Sequence, residues 1–298
     1  MVPMDPFRLE PERPGPSPGI LTLWLDQGDR PVVVLDHSLI QRLELTLKSL
    51  PKNAEGLILA SSAPRAFVAG ADLGAIAELP DDQLHRYLQY ASRVFAMLCE
   101  LPYPTAAAIH AAALGGGLEL AMHCTVLVAS RPEGKPYPVG LPEAGLSICP
   151  GWGGTNLLPA RMDPERAIRL TIEGKPMTFD EAERENLFDV IATTRDELIE
   201  KARGWIHKHG RQGPRSGLPT RWIGNKPIAS RVLEALDMIR PEVATGPGLA
   251  VCDAIDTGLT KGWAAALAVE QRHLVRLRNE PAGKEAIRAF FERSAKKA

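Results

Sequence analysis

Between residues 56 and 129 the chain alternates short apolar runs with helical stretches, and few folds accept that order. Residues 56–61 (GLILAS) are apolar without interruption and read as a buried strand. Residues 82–100 place Leu84, Leu88, Ala91, Phe95 and Leu98 on one helical face. Strand 106–110, helix 116–122 and strand 126–129 follow. Repeated strand–helix units imply a largely parallel sheet with helices packed on it, an α/β fold. Upstream, 20–25 and 32–35 are further β-type runs, and 38–50 is an amphipathic helix through Leu39, Leu43, Leu47 and Leu50. After Gly151 the pattern turns helical, over 164–173, 178–186, 196–209, 230–240, 247–258 and 263–294, with one short strand at 189–192. Residues 208–227 are rich in Gly, Pro and Arg and read as a linker or a surface excursion. The expected organisation is a disordered, proline-rich arm over 1–19, an α/β core over 20–210 and a helical region over 211–298.

Lys and Arg number 35 against 36 Asp and Glu, so the net charge is −1. That balance argues against a nucleic-acid binder that works by neutralising phosphates. Cys99, Cys124, Cys149 and Cys252 form no CxxC pair, and no His/Cys cluster has zinc spacing, so no metal site is expected. The four read as reduced, mostly buried thiols of a cytoplasmic protein. No uncharged apolar run reaches the roughly 18 residues of a membrane span.

Three segments have chemistry to offer. Ala66 to Leu73 (AFVAGADL) follows the 56–61 strand, and its small residues let another backbone or a ligand approach; Asp72 there also suits a helix N-cap. Gly115, Gly116 and Gly117 lead into a helix and expose backbone N–H groups at its positive end, a place for a developing oxyanion. The run lacks GxGxxG spacing and has no following Gly-Lys-Ser/Thr, so it is neither a dinucleotide fingerprint nor a P-loop. Glu119 sits one turn in, where a carboxylate also favours the helix dipole. In the third segment, Gly/Pro loops at 140–142 and 150–154 flank Glu143. Two glutamates can share acid and base work on one water, and two backbone donors can stabilise a carbonyl oxygen that gains charge. No GxSxG elbow supports a hydrolase nucleophile.

The strings AFVAGADL (66–73), AAIHAAALGGGLELAMHC (107–124) and VGLPEAGLSICPGWGGTNLLPARM (139–162) resemble, in order and spacing, the enoyl-CoA hydratase/isomerase (crotonase) superfamily. A weaker likeness runs through 173–191. The segments AIDTGLTKGWAAALAVEQRHLVRL (254–277) and GKEAIRAFF (283–291) resemble the end of the hydratase portion of the multifunctional fatty-acid β-oxidation α subunit. Val33-Val34-Leu35 departs from an N-x-L string common in the family, and Ser147 and Asn186 stand where glycine is usual.

The resemblance implies a crotonase-like ββα spiral with a helical C-terminal region. It implies that the Ala71 and Gly116 amides form an oxyanion hole for a thioester carbonyl, and that Glu119 and Glu143 are the catalytic pair. It places Ala66, Ala69, Gly70, Asp72, Leu73, Gly74 and Gly115 against coenzyme A or the acyl group, and Pro142, Gly151 and Trp152 around Glu143. The implied activity is hydration of 2-enoyl-CoA in β-oxidation, with 3,2-enoyl isomerisation as an accompanying reaction. Isomerisation alone, or a non-catalytic β-oxidation subunit, are the alternatives. No separate cofactor is expected, since coenzyme A belongs to the substrate. The implied partners are copies of the same chain, as a trimer or hexamer, or another β-oxidation subunit. In the family the C-terminal helices either reach a neighbour or fold back on their own pocket.

Overall fold

The computed structural model describes residues 5–15, 18–28, 30–210 and 216–295. Among the described residues ten strands form two sheets. The larger has the order β1 (Arg8–Pro11), β2 (Ile20–Leu25), β3 (Gly56–Ser61), β5 (Thr105–Ile109), β7 (Val126–Ser130), β10 (Val190–Ala192). The smaller has the order β4 (Ala66–Val68), β6 (Ala112–Leu114), β8 (Pro138–Gly140), β9 (Met177–Thr178). From β2 to β10 every pairing in the large sheet is parallel, and only the edge strand β1 runs antiparallel. The helices are α1 (His37–Ser49), α2 (Leu73–Glu78), α3 (Asp81–Glu100), α4 (Gly116–Met122), α5 (Gly154–Leu157), α6 (Pro164–Glu173), α7 (Phe179–Arg184), α8 (Leu198–His209), α9 (Lys226–Ile239), α10 (Gly246–Lys261), α11 (Trp263–Asn279) and α12 (Pro281–Ala295).

The chain winds as the strand order requires. Each turn gives one strand to the large sheet and the next to the small sheet, then a helix: β3, β4 and α2–α3, then β5, β6 and α4. The central strands are buried on both faces, which is why they read as unbroken apolar runs. Leu57, Leu59, Ala107, Ile109, Leu127 and Ala129 enter the main core. Their alternates Ile58, Ala60, Ala106, Ala108, Val126 and Val128 face the other way, onto Leu198, Ala202 and Ile206 of α8. Helix starts follow their caps. Asp36 accepts from Leu39 N at 2.8 Å to open α1, and Asp163 with Pro164 at the first helical position opens α6.

Four expectations change. The arm over 1–19 is not disordered where it is described: Arg8–Pro11 pairs with β2, and the buried Phe7 donates its N–H to Thr46 Oγ1 at 2.8 Å. Proline and charge are tolerated there because β1 is a sheet edge. Residues 32–35 form no strand; Leu35 alone makes a parallel bridge, to Ala71. The helix expected over 263–294 breaks at Glu280, which is extended (ψ 152°) because Pro281 follows. The 208–227 segment is only in part a linker, since α9 begins at Lys226. Residues 211–215 lie outside the described residues. Cys99, Cys124, Cys149 and Cys252 are buried, and no disulfide joins them.

The C-terminal helices pack against the rest of the chain. Helix α10 packs on α5, α6, α9 and α11, and α11 packs on α3. Helix α12 folds back onto α2 and onto the 3-10 turn Glu143–Leu146. Among the described residues no helix is long and apolar enough to cross a membrane.

Candidate active site

Backbone comes first. The small sheet delivers β4 and β6 in parallel register, with Ala66 opposite Ala112. Gly70, at φ +115°, turns the chain after β4, and its carbonyl accepts from Leu35 N at 2.9 Å. That pairing fixes Ala71. On the neighbouring strand Gly115 (φ +51°) turns β6 into α4. Gly116 is the first residue of α4, so its N–H has no intrahelical acceptor. Gly117 must be glycine, because a Cβ there would lie 2.3 Å from the Val68 carbonyl oxygen.

Ala71, Gly116, Glu119, Glu143, Gly151 and Trp152 line one small cavity of about 20 Å³, closed by Leu88 and Leu274. It adjoins a wider cavity of about 270 Å³ lined by Ala69, Gly70, Leu73, Gly115, Pro142 and, from α12, Phe290. The two share Ala71, Ile76, Glu143 and Ile148. The sequence thus points to most of the lining. Three expected residues lie elsewhere. Ala66 is buried in β4. Asp72 caps α2, accepting from Gly74 N (3.0 Å) and Ala75 N (3.1 Å), and faces a separate surface groove bordered by His37, Tyr90 and Arg93. Gly74 is spent in that cap. The capping reading of Asp72 is the one the geometry realises.

Glu119 is fully buried, and its Oε1 accepts from Trp152 N at 2.8 Å and Gly154 N at 2.7 Å. Glu143 begins the 3-10 turn. Its Oε2 is buried with no protein partner, and its Oε1 lies against Gly115, where a Cβ would come within 2.4 Å. Burial pushes the Glu119 carboxyl well above its ordinary range, and the charges of Glu143 and Glu270 add to this, against the two amide donors. Burial likewise lifts Glu143 to about 8, with Glu270 contributing. Carboxyls held this high exchange protons near neutral pH.

Glu270, from α11, is the residue that sequence reasoning missed. It is fully buried and accepts from Gly153 N (2.6 Å), Thr155 N (3.0 Å) and Thr155 Oγ1. The signal was present: Glu270 interrupts an apolar helical stripe of Trp263, Ala266, Leu274 and Leu277. Two other residues are structural. His110 Nε2 meets Ala63 O at 2.8 Å. Buried Arg161 donates to Met122 O (2.9 Å) and Cys124 O (2.6 Å), closing the C-terminal end of α4.

The enoyl-CoA hydratase/isomerase family profile matches residues 27–219. A protein of Bacillus subtilis (strain 168) named "Putative enoyl-CoA hydratase/isomerase YngF" is 30% identical over 261 residues, covering 87% of this chain and 86% of that one. Among solved structures, enoyl-CoA hydratase from Bacillus anthracis superposes with a TM-score of 0.61 at 25% identity, covering 96% of each chain. Enoyl-CoA hydratase from Bacillus halodurans shares the fold, with a TM-score of 0.66 at 19% identity over 94% of this chain and 99% of that one. The chain belongs to the enoyl-CoA hydratase/isomerase family, and its two-sheet spiral with a helical C-terminal region is the crotonase fold.

Proposed function

We propose that the protein hydrates 2-enoyl-CoA thioesters in fatty-acid β-oxidation. The observation that carries this reading is one cavity lined by Glu119, Glu143, Ala71 and Gly116. The Ala71 and Gly116 amides would receive the thioester oxygen as negative charge builds on it, and one such donor is worth about 3 kcal/mol. Glu119, held through Oε1, keeps Oε2 to orient a water and, in the ionised form that its two amide donors favour, takes its proton as the oxygen bonds to Cβ. Glu143, whose raised pKa keeps it protonated near neutral pH, delivers a proton to Cα. One proton is taken from water and one is given to carbon, so the pair is reset by passing a proton back. The wider cavity suits the pantetheine arm. The likeness of 254–277 to the β-oxidation α subunit supports the pathway assignment. The unpartnered Glu143 Oε2 also suits proton transfer between Cα and Cγ, so 3,2-enoyl isomerisation is the second activity to assay.

The test is the loss of enoyl absorbance of crotonyl-CoA with the parent, Glu119→Gln and Glu143→Gln. Turnover that collapses in both variants is the expected result. A parent that binds coenzyme A thioesters but hydrates none refutes the reading.

A further inference from the structure

The turn from Trp152 to Thr155 has four consecutive backbone N–H groups, and they point alternately to two buried carboxylates. Trp152 N and Gly154 N donate to Glu119; Gly153 N and Thr155 N donate to Glu270. The alternation depends on Gly153 at φ +97°, where a Cβ would strike Trp263 at 2.3 Å. Trp263 and Glu270 lie two turns apart on the same face of α11. The adjacent Gln271 also reaches this loop, donating to Gly151 O at 3.2 Å. One helix therefore holds the whole turn from the side opposite Glu119.

We propose that Glu270 is a positioning residue: it fixes the 152–155 turn so that the Trp152 and Gly154 amides meet Glu119 Oε1, and it stands as a third buried charge behind the catalytic pair. The inference rests on the reading of Glu119 as the water-activating carboxylate. Among the described residues no Lys, Arg or His pairs with Glu270; three N–H and O–H donors are its stabilisation. The titratable groups around it are Glu119 from α4, Glu143 from the 3-10 turn and Cys149 from the loop, with Arg276 further along α11 acting on Cys149, and His123, just past α4, packs its ring on Trp263 of α11. His123 is held neutral by burial, at about 4, so it supplies no counter-charge near neutral pH. Burial pushes Glu270 itself up to about 7 against its three donors, and its ionised form favours the protonated forms of its two carboxyl neighbours.

The experiment is a ¹³C NMR titration of glutamate side-chain carboxyls in the full chain, assigned with Glu119→Gln and Glu143→Gln, alongside crotonyl-CoA kinetics. In Glu270→Gln the Glu119 and Glu143 midpoints are expected to fall by about half a unit or more. The kcat is expected to fall about ten-fold or more with KM nearly unchanged. Glu270→Asp keeps the charge and should keep the midpoints. The Gln amide would face the Gly153 N–H, so Thr155→Val, which removes one donor and spares the backbone, guards against misfolding of the first variant. It should lower kcat about two-fold or more at unchanged KM. Parent-like midpoints and kcat in folded Glu270→Gln overturn the proposal, as does an unaltered kcat in Thr155→Val where the Gln variant does not fold. Because the titration needs no turnover, a parent inactive on crotonyl-CoA would refute the functional reading, while a shifted Glu119 midpoint would still uphold the placement of Glu270.

Discussion

Gly116→Ala sets two effects against each other. Helix propensity alone favours alanine by up to about 1 kcal/mol, and Gly116 is not among the glycines with positive φ. The new methyl, however, would lie 2.3 Å from Trp152 Cζ3, 2.7 Å from its Cε3 and 3.2 Å from Leu35 Cδ1. The indole cannot easily yield. Its Nε1 donates to Leu88 O at 3.0 Å, and its ring meets Tyr87 and Phe95 edge-on at 5.7 and 5.3 Å. Overpacking of this kind costs about 1–3 kcal/mol, and contact with a pinned ring places it at the upper end. The net loss is therefore about 2 kcal/mol, a Tm decrease of roughly 3 °C for a chain of this size. Activity should suffer more than stability. A displaced Trp152 carries its N–H away from Glu119 Oε1, so hydration should fall at least about ten-fold. Thermal unfolding and crotonyl-CoA turnover of Gly116→Ala, Trp152→Leu and the double variant form the assay. The Leu side chain should make room for the methyl, giving a coupling of about 1 kcal/mol or more. A Gly116→Ala protein as stable as the parent, or a strictly additive cycle, would refute the packing argument.

Glu143→Gln should change the pH dependence of stability. The folded state holds the Glu143 proton up to about pH 8, whereas the unfolded chain releases it near 4.5, so this group's contribution is complete below 4.5 and lost as pH rises to about 8. The variant should gain on the parent in Tm steadily from pH 5 to pH 8, and a constant difference would contradict the raised pKa. Arg161→Met strips two charge-assisted bonds from the α4 terminus and should cost about 3 kcal/mol in urea unfolding; a loss under about 1 kcal/mol would show that those carbonyls find water instead. The inner cavity, about 20 Å³ and closed by Leu88, Trp152 and Leu274, holds about one water, so a longer acyl chain must displace more of these side chains, and kcat/KM for crotonyl-CoA should exceed that for a ten-carbon 2-enoyl-CoA. Equal values would place the acyl chain along another path.

The spiral was legible because buried parallel strands leave a strong mark. GLILAS is a strand at the expected residues, and α4 and α6 begin and end where their glycines, caps and proline indicate. The backbone demands of two departures from family habit were also met. Ser147 (φ 56°) and Asn186 (φ 57°) adopt the left-handed conformation usually given to glycine. The N-terminal edge strand was hidden, because an edge needs no apolar run and accepts proline. Glu119 and Glu143 stood out beside glycine-rich turns. Glu270 did not, because its partners lie more than a hundred residues away along the chain and a lone carboxylate in a long helix carries no local sign of what it meets.

The origin of Glu270 and Phe290 bears on how the molecule is made. The family profile matches residues 27–219, while the carboxylate beneath the 152–155 turn and the aromatic wall of the wider cavity come from α11 and α12. A chain emerging from the ribosome can wind both sheets while that turn still lacks half of its acceptors. Four amides facing an apolar interior with one carboxylate between them would be left short of partners, and the loop would stay open to water. The 152–155 turn therefore gains its second carboxylate only once α11 has been made and docks against it.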